Sequence, residues 1–399
     1  MATTMKFDRA EIAGSLGDLG TLLPLGVGLI AINGLDPTGV FWIIGLFYIC
    51  SGLYFRVTCP VEPMKVISGY AIATSLSATQ LQASCLWVFL ILLLLGITGL
   101  IDLISRYISK SIIRGVQLST GILLLSQGVH LMLGTSSVQL LQGAGEPFLR
   151  IQELAFLPIG VLLGTVLGFL CLFLLDNKKL PAAVVIVGLG TLFGMVFGRT
   201  QELAGLRAGF HLPDLMPYGL PTAADFSFAL IILTLPQIPM TIGNAVIANA
   251  DLSKQYFGEQ SSRVTHKGLC LSMALANLGS FFIAGLPMCH GAGGLASRYR
   301  FGARTGGSNL FIGSVFLLVA LLFGAETLTI IHLLPMSALG VLLVFAGAQL
   351  GLTILDILNR RELFVILLIV GITLASNLAA GFIVGILIER LLRWQRFSV

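Results

Sequence analysis

CPVEPMKVISGYA, residues 59–71, and GLPMCHGAGGLA, residues 285–296, decide how this chain is read. Each places Pro-Met at the start of a short apolar run, Pro63-Met64 in one and Pro287-Met288 in the other. A proline holds φ, donates no N–H and pushes the residue before it into extended backbone. Each stretch therefore reads as an extended approach that becomes helix part-way along. Upstream of each lies a second matched proline, Pro24 in GTLLPLGVGLIA (20–31) and Pro239 in PQIPMTIGNAVIA (236–248). The elements thus recur in the same order in two halves, approximately 1–200 and 215–399.

The rest of the chain says which solvent these segments meet. Of 399 residues, 56% are hydrophobic and only 10% charged, with mean hydropathy +0.97. A soluble domain carries roughly 25% charge, so this chain is solvated by lipid. A bilayer core takes about 20 apolar residues per helix, fewer where a helix is broken and buried in protein. The apolar runs are 12–32, 38–55, 60–77, 84–104, 111–133, 154–175, 181–198, 224–248, 268–283, 288–300, 307–324, 328–350, 362–376 and 378–393. They predict an all-α polytopic membrane protein with about fourteen segments, the third and tenth short. The abundant glycine and proline suit helices that pack closely, kink or break.

Charge sets the orientation. With the N-terminus cytoplasmic beside Lys6 and Arg9, the same side collects Arg56; Arg106, Lys110 and Arg114; Lys178 and Lys179; Lys254, Arg263 and Lys267; Arg298, Arg300 and Arg304; Arg360 and Arg361; and Arg390, Arg393 and Arg396. Arg150, Arg199 and Arg207 are the exceptions, on two longer loops. The positive-inside rule then implies an even segment count, with both termini cytoplasmic. Seven spans per half invert the second half relative to the first. Paired Gly/Pro-interrupted segments in inverted halves are the sequence pointer to a secondary transporter's substrate site. A half-helix that begins mid-membrane leaves N–H groups without partners and adds about half a positive charge. Two such tips facing one point make an anion site. Gly291, Gly293 and Gly294 let backbone approach a ligand.

Other classes are disfavoured. The net charge of +5 comes from short loops, not from a basic patch interleaved with aromatics, so no nucleic-acid partner is implied. Cys50, Cys59, Cys85, Cys171, Cys270 and Cys289 form no CxxC pair, so neither a disulfide frame nor a metal site is expected, and no cofactor. Neither HExxH nor GxxxxGK[ST] occurs, against an enzyme or an ATP-driven pump. MATTMKFDRAEIAG (1–14) lacks a cleavable signal pattern. A bacterial-style inner membrane is the simplest location.

GSLGDLGTLLPL (14–25), PVEPMK (60–65), PQIPMTIGNAVIA (236–248), VTHKGLCLSMALANL (264–278) and GLPMCHGAGGLASRYRFGARTGG (285–307) resemble the molybdate transporter family, a relative of the SulP sulfate permeases. The likeness covers nearly the whole chain. It implies the uracil-permease-type fold as a single membrane transport domain, 1–399, with fourteen segments in two inverted repeats of seven. Segments 1–4 and 8–11 would form a core carrying the site, and segments 5–7 and 12–14 a gate. It also implies no cytoplasmic STAS domain, in keeping with a chain that stops at Val399. Where the family pattern has Gln before Pro-Met, this chain has Glu62. A carboxylate beside an anion site repels substrate unless protonated or paired, which favours proton coupling.

Candidate residues follow, each with a blander alternative. Lys65, in the first turn of the first half-helix, either attracts an oxyanion or only pairs with Glu62 at i,i+3. An intramembrane lysine costs roughly 2.5–3.5 kcal/mol on insertion scales and needs some reason. Glu62 is a proton acceptor or merely that partner. Asp18, among glycines early in the first span, holds a coupling proton, caps a half-helix or is interfacial. Gln237, Thr241 and Asn244 share a face at i, i+4, i+7, as neutral donors to an anion or as interhelical glue. His290 donates to the anion, titrates or is simply packed; Cys289 is a small packing residue. Backbone near Met64–Val66 and Cys289–Gly291 supplies N–H groups. The expectation is a secondary active carrier of an oxyanion, molybdate ahead of sulfate, by alternating access with a coupled proton. A nucleobase permease on the same fold is the rival. Homodimerisation stays open.

Overall fold

The computed structural model describes residues 5–101, 109–154, 156–175, 177, 181–198 and 206–392. Arg106, Lys178, Lys179, Arg199, Arg393 and Arg396, used in the orientation argument, lie outside these.

The first predicted run is a bent pair, α1 (Arg9–Ser15) and α2 (Leu19–Asn33), meeting at 41°. Asp8 caps α1, its carboxylate accepting from the N–H groups of Ala10 and Glu11. At the break, Gly17 lies against the Arg298 backbone; a Cβ there would sit 2.7 Å from its Cα. Next, α3 (Pro37–Phe55) starts with proline at its first position behind an Asp36 cap. The third run is not helical throughout. Residues 60–64 are extended, with β1 at Glu62–Pro63, and the helix α4 is confined to Lys65–Thr74. Pro60 and Pro63 cannot supply the N–H groups that a helix through 60–64 would use. A Ser77–Gln80 capping box opens α5 (Ala78–Thr98), and Gly99 in the left-handed region closes it.

In the middle of the chain, α6 (Lys110–Leu133) leads through the short α7 (Ser137–Gln142) to a hairpin of β2 (Glu153–Leu154) and β3 (Leu157–Pro158). That hairpin takes up the start of the run 154–175, and α8 spans Ile159–Leu174. α9 (Ala182–Phe197) follows.

The eighth run extends further than expected, into one long helix, α10 (Ala223–Ser261). Two stretches, Ala229–Thr234 and Thr241–Ala248, adopt wide π turns on either side of Pro236 and Pro239. Prolines that cannot donate shift the hydrogen-bond ladder there. After α11 (His266–Ile283) come the extended residues 285–291, with β4 at Met288–Cys289, and then α12 (Ala292–Arg300). The rest is α13 (Gly307–Phe323), α14 (Thr327–Ile331), α15 (Met336–Gly351), α16 (Arg360–Ala375) and α17 (Leu378–Leu392). The run 328–350 is thus interrupted, and Pro335 caps the later start at Met336.

Six helices among the described residues are long and apolar enough to cross a membrane, seven with the bent α1–α2 pair; α8 and α9 are shorter apolar helices. Leu94, Ile97, Val166, Phe169, Phe173, Leu192 and Val196 are exposed, as lipid-facing surfaces require. Glycine sets the helix spacing. Gly121 and Gly128 of α6 abut the carbonyls of Gly347 and Gly340 of α15, with a built Cβ 2.6 and 2.5 Å from them. Gly45 and Gly52 of α3 meet Gly313 and Gly306 of α13 in the same manner. Small residues in these positions let backbones approach, which drives helix association in lipid.

Candidate anion site

The two interrupted segments meet. β1 and β4 pair antiparallel, Glu62 opposite Cys289 and Pro63 opposite Met288, and Met64 N–H donates to the Pro287 carbonyl at 2.8 Å. Asn277 of α11 acts as a further strand. Its Oδ1 accepts from Met288 N–H at 3.1 Å and its Nδ2 donates to the Met288 carbonyl at 2.9 Å. Since α4 and α12 begin two and three residues beyond the paired strands, their N-termini lie side by side and leave in opposite directions.

A cavity of about 530 Å³ opens at these tips. Thr21, Glu62, Lys65, Asn244, Gly293 and Gly294 line it from one side, and α6, α8, α9 and α15 from the other. Arg114, Arg300 and Asn177 also line it. Lys65 reaches Glu62 Oε2 at 3.1 Å. The Glu62 carboxylate rests on the first turn of α12, where a Cβ on Gly294 would be 2.6 Å from Oε1 and one on Gly291 would collide with Oε2. Only glycine leaves room for it.

The predicted residues divide into those that face the cavity and those that do not. Lys65, Glu62, Asn244 and Asp18 do. Gln237 and Thr241 are brought to the site in another role. Gln237 Oε1 accepts from the N–H groups of Val66 and Ile67 at 3.0 and 3.2 Å, capping α4, while its Nε2 donates to Thr241 Oγ1. The donors expected near Met64–Val66 are therefore engaged, Met64 by Pro287 and Val66 by Gln237. Cys289 is packed, its Sγ towards the Pro63 carbonyl at 3.9 Å, and Gly291 is the N-cap of α12.

His290 does not line the cavity. Its ring points away from the cavity, with Nδ1 2.7 Å from the Pro60 carbonyl and Nε2 3.0 Å from Ser272 Oγ, packed on Phe47 and Phe55. It fastens the strand pair to α11 and cannot touch a ligand in the cavity. Asp18 is also held: Oδ1 pairs with Arg298 at 3.0 Å, and Oδ2 accepts from Tyr48 Oη and Val61 N–H at 2.8 and 3.1 Å.

Arg298, read from sequence as a cytoplasmic loop cation, is wholly buried. Its donors go to Thr58 Oγ1, the Ser15 carbonyl, Asp18, Ser308 Oγ and Asn309 Oδ1 at 2.8–3.1 Å. This network ties α12 to α1, the α1–α2 break, the segment after α3 and α13, and no sequence signal marked it beyond the Ser-Arg-Tyr-Arg ending of the run.

A family described as "Molybdate transporter of MFS superfamily" matches residues 10–124 and 229–350, together more than half of the chain and including both half-helix units. The chain belongs to the molybdate transporter family. Molybdate transporter 2 of Arabidopsis thaliana is 30% identical over 96% of this chain and 87% of its own length. Molybdate transporter 1 of Chlamydomonas reinhardtii is 30% identical over 94% and 90%. The transporter's fold is also that of two solved structures. The transmembrane domain of the cyanobacterial bicarbonate transporter BicA aligns with TM-score 0.66 at 17% identity, over 97% of this chain and 99% of that one. Murine Solute Carrier 26 family member A9, in its inward-facing state, aligns with TM-score 0.67 at 14% identity, over all of this chain and 70% of that one. The transporter is an integral, multi-pass, all-α membrane protein and not an enzyme.

Proposed function

We propose that the protein carries molybdate across the membrane as a secondary active transporter working by alternating access, with a proton moving alongside. The observation that carries this reading is the pair of half-helix tips, α4 and α12, joined through β1–β4 beside a cavity holding Lys65 and Asn244. A tetrahedral dianion there would meet the N–H groups of Ala292 and Gly293 at the start of α12, the ammonium of Lys65 and the amide of Asn244. Gln237 and Thr241 act one step back, fixing the tip of α4. The molybdate relatives, similar over nearly their whole length, support the choice of substrate.

Fourteen segments in two inverted repeats of seven are the architecture this reading uses, with both termini cytoplasmic. The antiparallel meeting of the two strand–helix units is what an inverted repeat requires. Segments 1–4 and 8–11 form the moving core, and segments 5–7 and 12–14 the gate. Arg114 and Arg300, which also line the cavity, are on the side that charge bias makes cytoplasmic, and on this reading the conformation faces inward. Entry of a dianion against a negative-inside potential is uphill by about 2.3 kcal/mol per charge per 100 mV, and co-transported protons offset it. Of the three coupling candidates, Asp18 and Glu62 line the cavity, and Glu62 is the one with no guanidinium partner, met by Lys65 and the Thr21 hydroxyl.

Uptake of radiolabelled molybdate, sulfate and uracil into proteoliposomes of the purified protein tests this. Molybdate should be preferred, and an inward proton gradient should drive accumulation. Lys65→Ala should raise the molybdate KM at least about tenfold, on the order of 1.4 kcal/mol. Preferential uracil or sulfate uptake would overturn the substrate, and unchanged affinity in Lys65→Ala would remove that residue from the site.

A further inference from the structure

We propose that the Glu62 carboxylate is a tethered occupant of the anion position, so that it must take up a proton before an oxyanion binds; this rests on the anion-transport reading above. Four carboxylates are buried among the described residues, Glu11, Asp18, Glu62 and Glu146. Three are satisfied as structural groups. Glu11 accepts from the N–H groups of Arg304 and Thr305, Glu146 from those of Met336 and Ser337, and Asp18 from Arg298, Tyr48 and Val61. Glu62 differs. Only the Lys65 ammonium and the Thr21 hydroxyl face it among the described residues, and no backbone N–H donates to either oxygen, although it is 0% exposed. Buried polar groups left in this condition are rare in native structures and call for a reason.

Position supplies the reason. The carboxylate lies on the first turn of α12, against Gly291 and Gly294, where unpartnered N–H groups and the helix dipole favour negative charge. It also holds Lys65, the cavity's cation nearest the tips. An incoming oxyanion needs both features. While Glu62 is ionised, the anion would have to displace it and sit beside a like charge. Once a proton binds to the carboxylate, Lys65 keeps its own proton and its charge becomes available, and the site changes from neutral to singly positive. One proton thus enters with each anion. The charged and titratable groups around Glu62 leave it as the responsive one. Asp18, from the α1–α2 break, is neutralised by Arg298 of α12; Cys289 lies across the strand pair; Arg114 of α6 and Arg300 of α12 also line the cavity; His290 faces away.

Equilibrium binding of molybdate to purified protein between pH 5.5 and 8, with Glu62→Gln alongside, is the test. Wild type should weaken as pH rises, approaching a tenfold increase in Kd per pH unit once Glu62 is ionised. Glu62→Gln, which keeps the shape without the charge, should bind at least as tightly as wild type at its best pH, with a flat profile. A second measurement uses wild type alone: in weak buffer above the Glu62 titration, molybdate binding should take up about one proton per anion. A flat wild-type profile with no proton uptake would overturn the tethered occupant and leave the transport reading standing. A Glu62→Gln protein that keeps the wild-type slope, or binds tenfold more weakly at every pH, would overturn it too. No molybdate binding to wild type at any pH would instead defeat the transport reading itself, and the proposal with it.

Discussion

At Arg298 the chain places a full positive charge where neither water nor lipid headgroups reach. An arginine buried to 0% exposure is tolerable only when its fork is filled, and here every donor nitrogen has an acceptor, from Asp18 to Asn309. Arg298→Met should strand Asp18 as an uncompensated buried charge and cost about 3–5 kcal/mol, seen as a large fall in melting temperature in detergent. Arg298→Lys should recover little, since a lysine cannot reproduce the planar fork. The double change Asp18→Asn with Arg298→Met should be milder than Arg298→Met alone; if it is additive, the pair is not the pin described. Sequence alone showed Glu62 and Lys65 as an i,i+3 pair at a helix start, because that relation is local. It could not show that His290 turns towards Ser272 or that Arg298 is buried, because both depend on side chains from distant segments, Phe47 and Phe55 for one, Thr58 and Asn309 for the other.

Among elements, the half-helices were legible because proline and glycine act on backbone directly. Pro63 and Pro287 marked the extended approaches that lead into α4 and α12, although the runs 60–77 and 288–300 overstated both helices. Hydropathy counts apolar residues and cannot separate a buried strand from a buried helix. The same blindness hid the break at Leu333–Pro335 and the π turns of α10. The α6–α15 crossing rests on facts that composition hints at but does not place. Gly128→Leu or Gly347→Leu must force the two helices apart, at about 1–3 kcal/mol of overpacking, and should lower both melting temperature and molybdate uptake. Gly371→Leu, where a Cβ meets nothing within 4 Å, should change neither. Equal effects at all three positions would mean that the crossing has no special role.

For the whole molecule, the account joins a pinned unit to a packed wall. The strand pair, α12 and the Arg298 network bind the site's own elements together, while α6 and α15, joined to each other through glycine contacts, line the cavity with them. The proposed alternating access requires these two groups of helices to slide against each other without remaking the site. The fold class was readable from hydropathy and from the recurrence of Pro-Met; the cavity was not, since its far wall comes from segments with no chemical motif. The most direct measurement is the position of molybdenum in a crystal of the protein grown with molybdate, located by its anomalous scattering. The account predicts one molybdenum site in the cavity, within contact of Lys65 Nζ and the first turn of α12, with the Glu62 carboxylate moved off Gly291 and Gly294. Molybdenum bound elsewhere, with Glu62 still seated on the glycines, would contradict it.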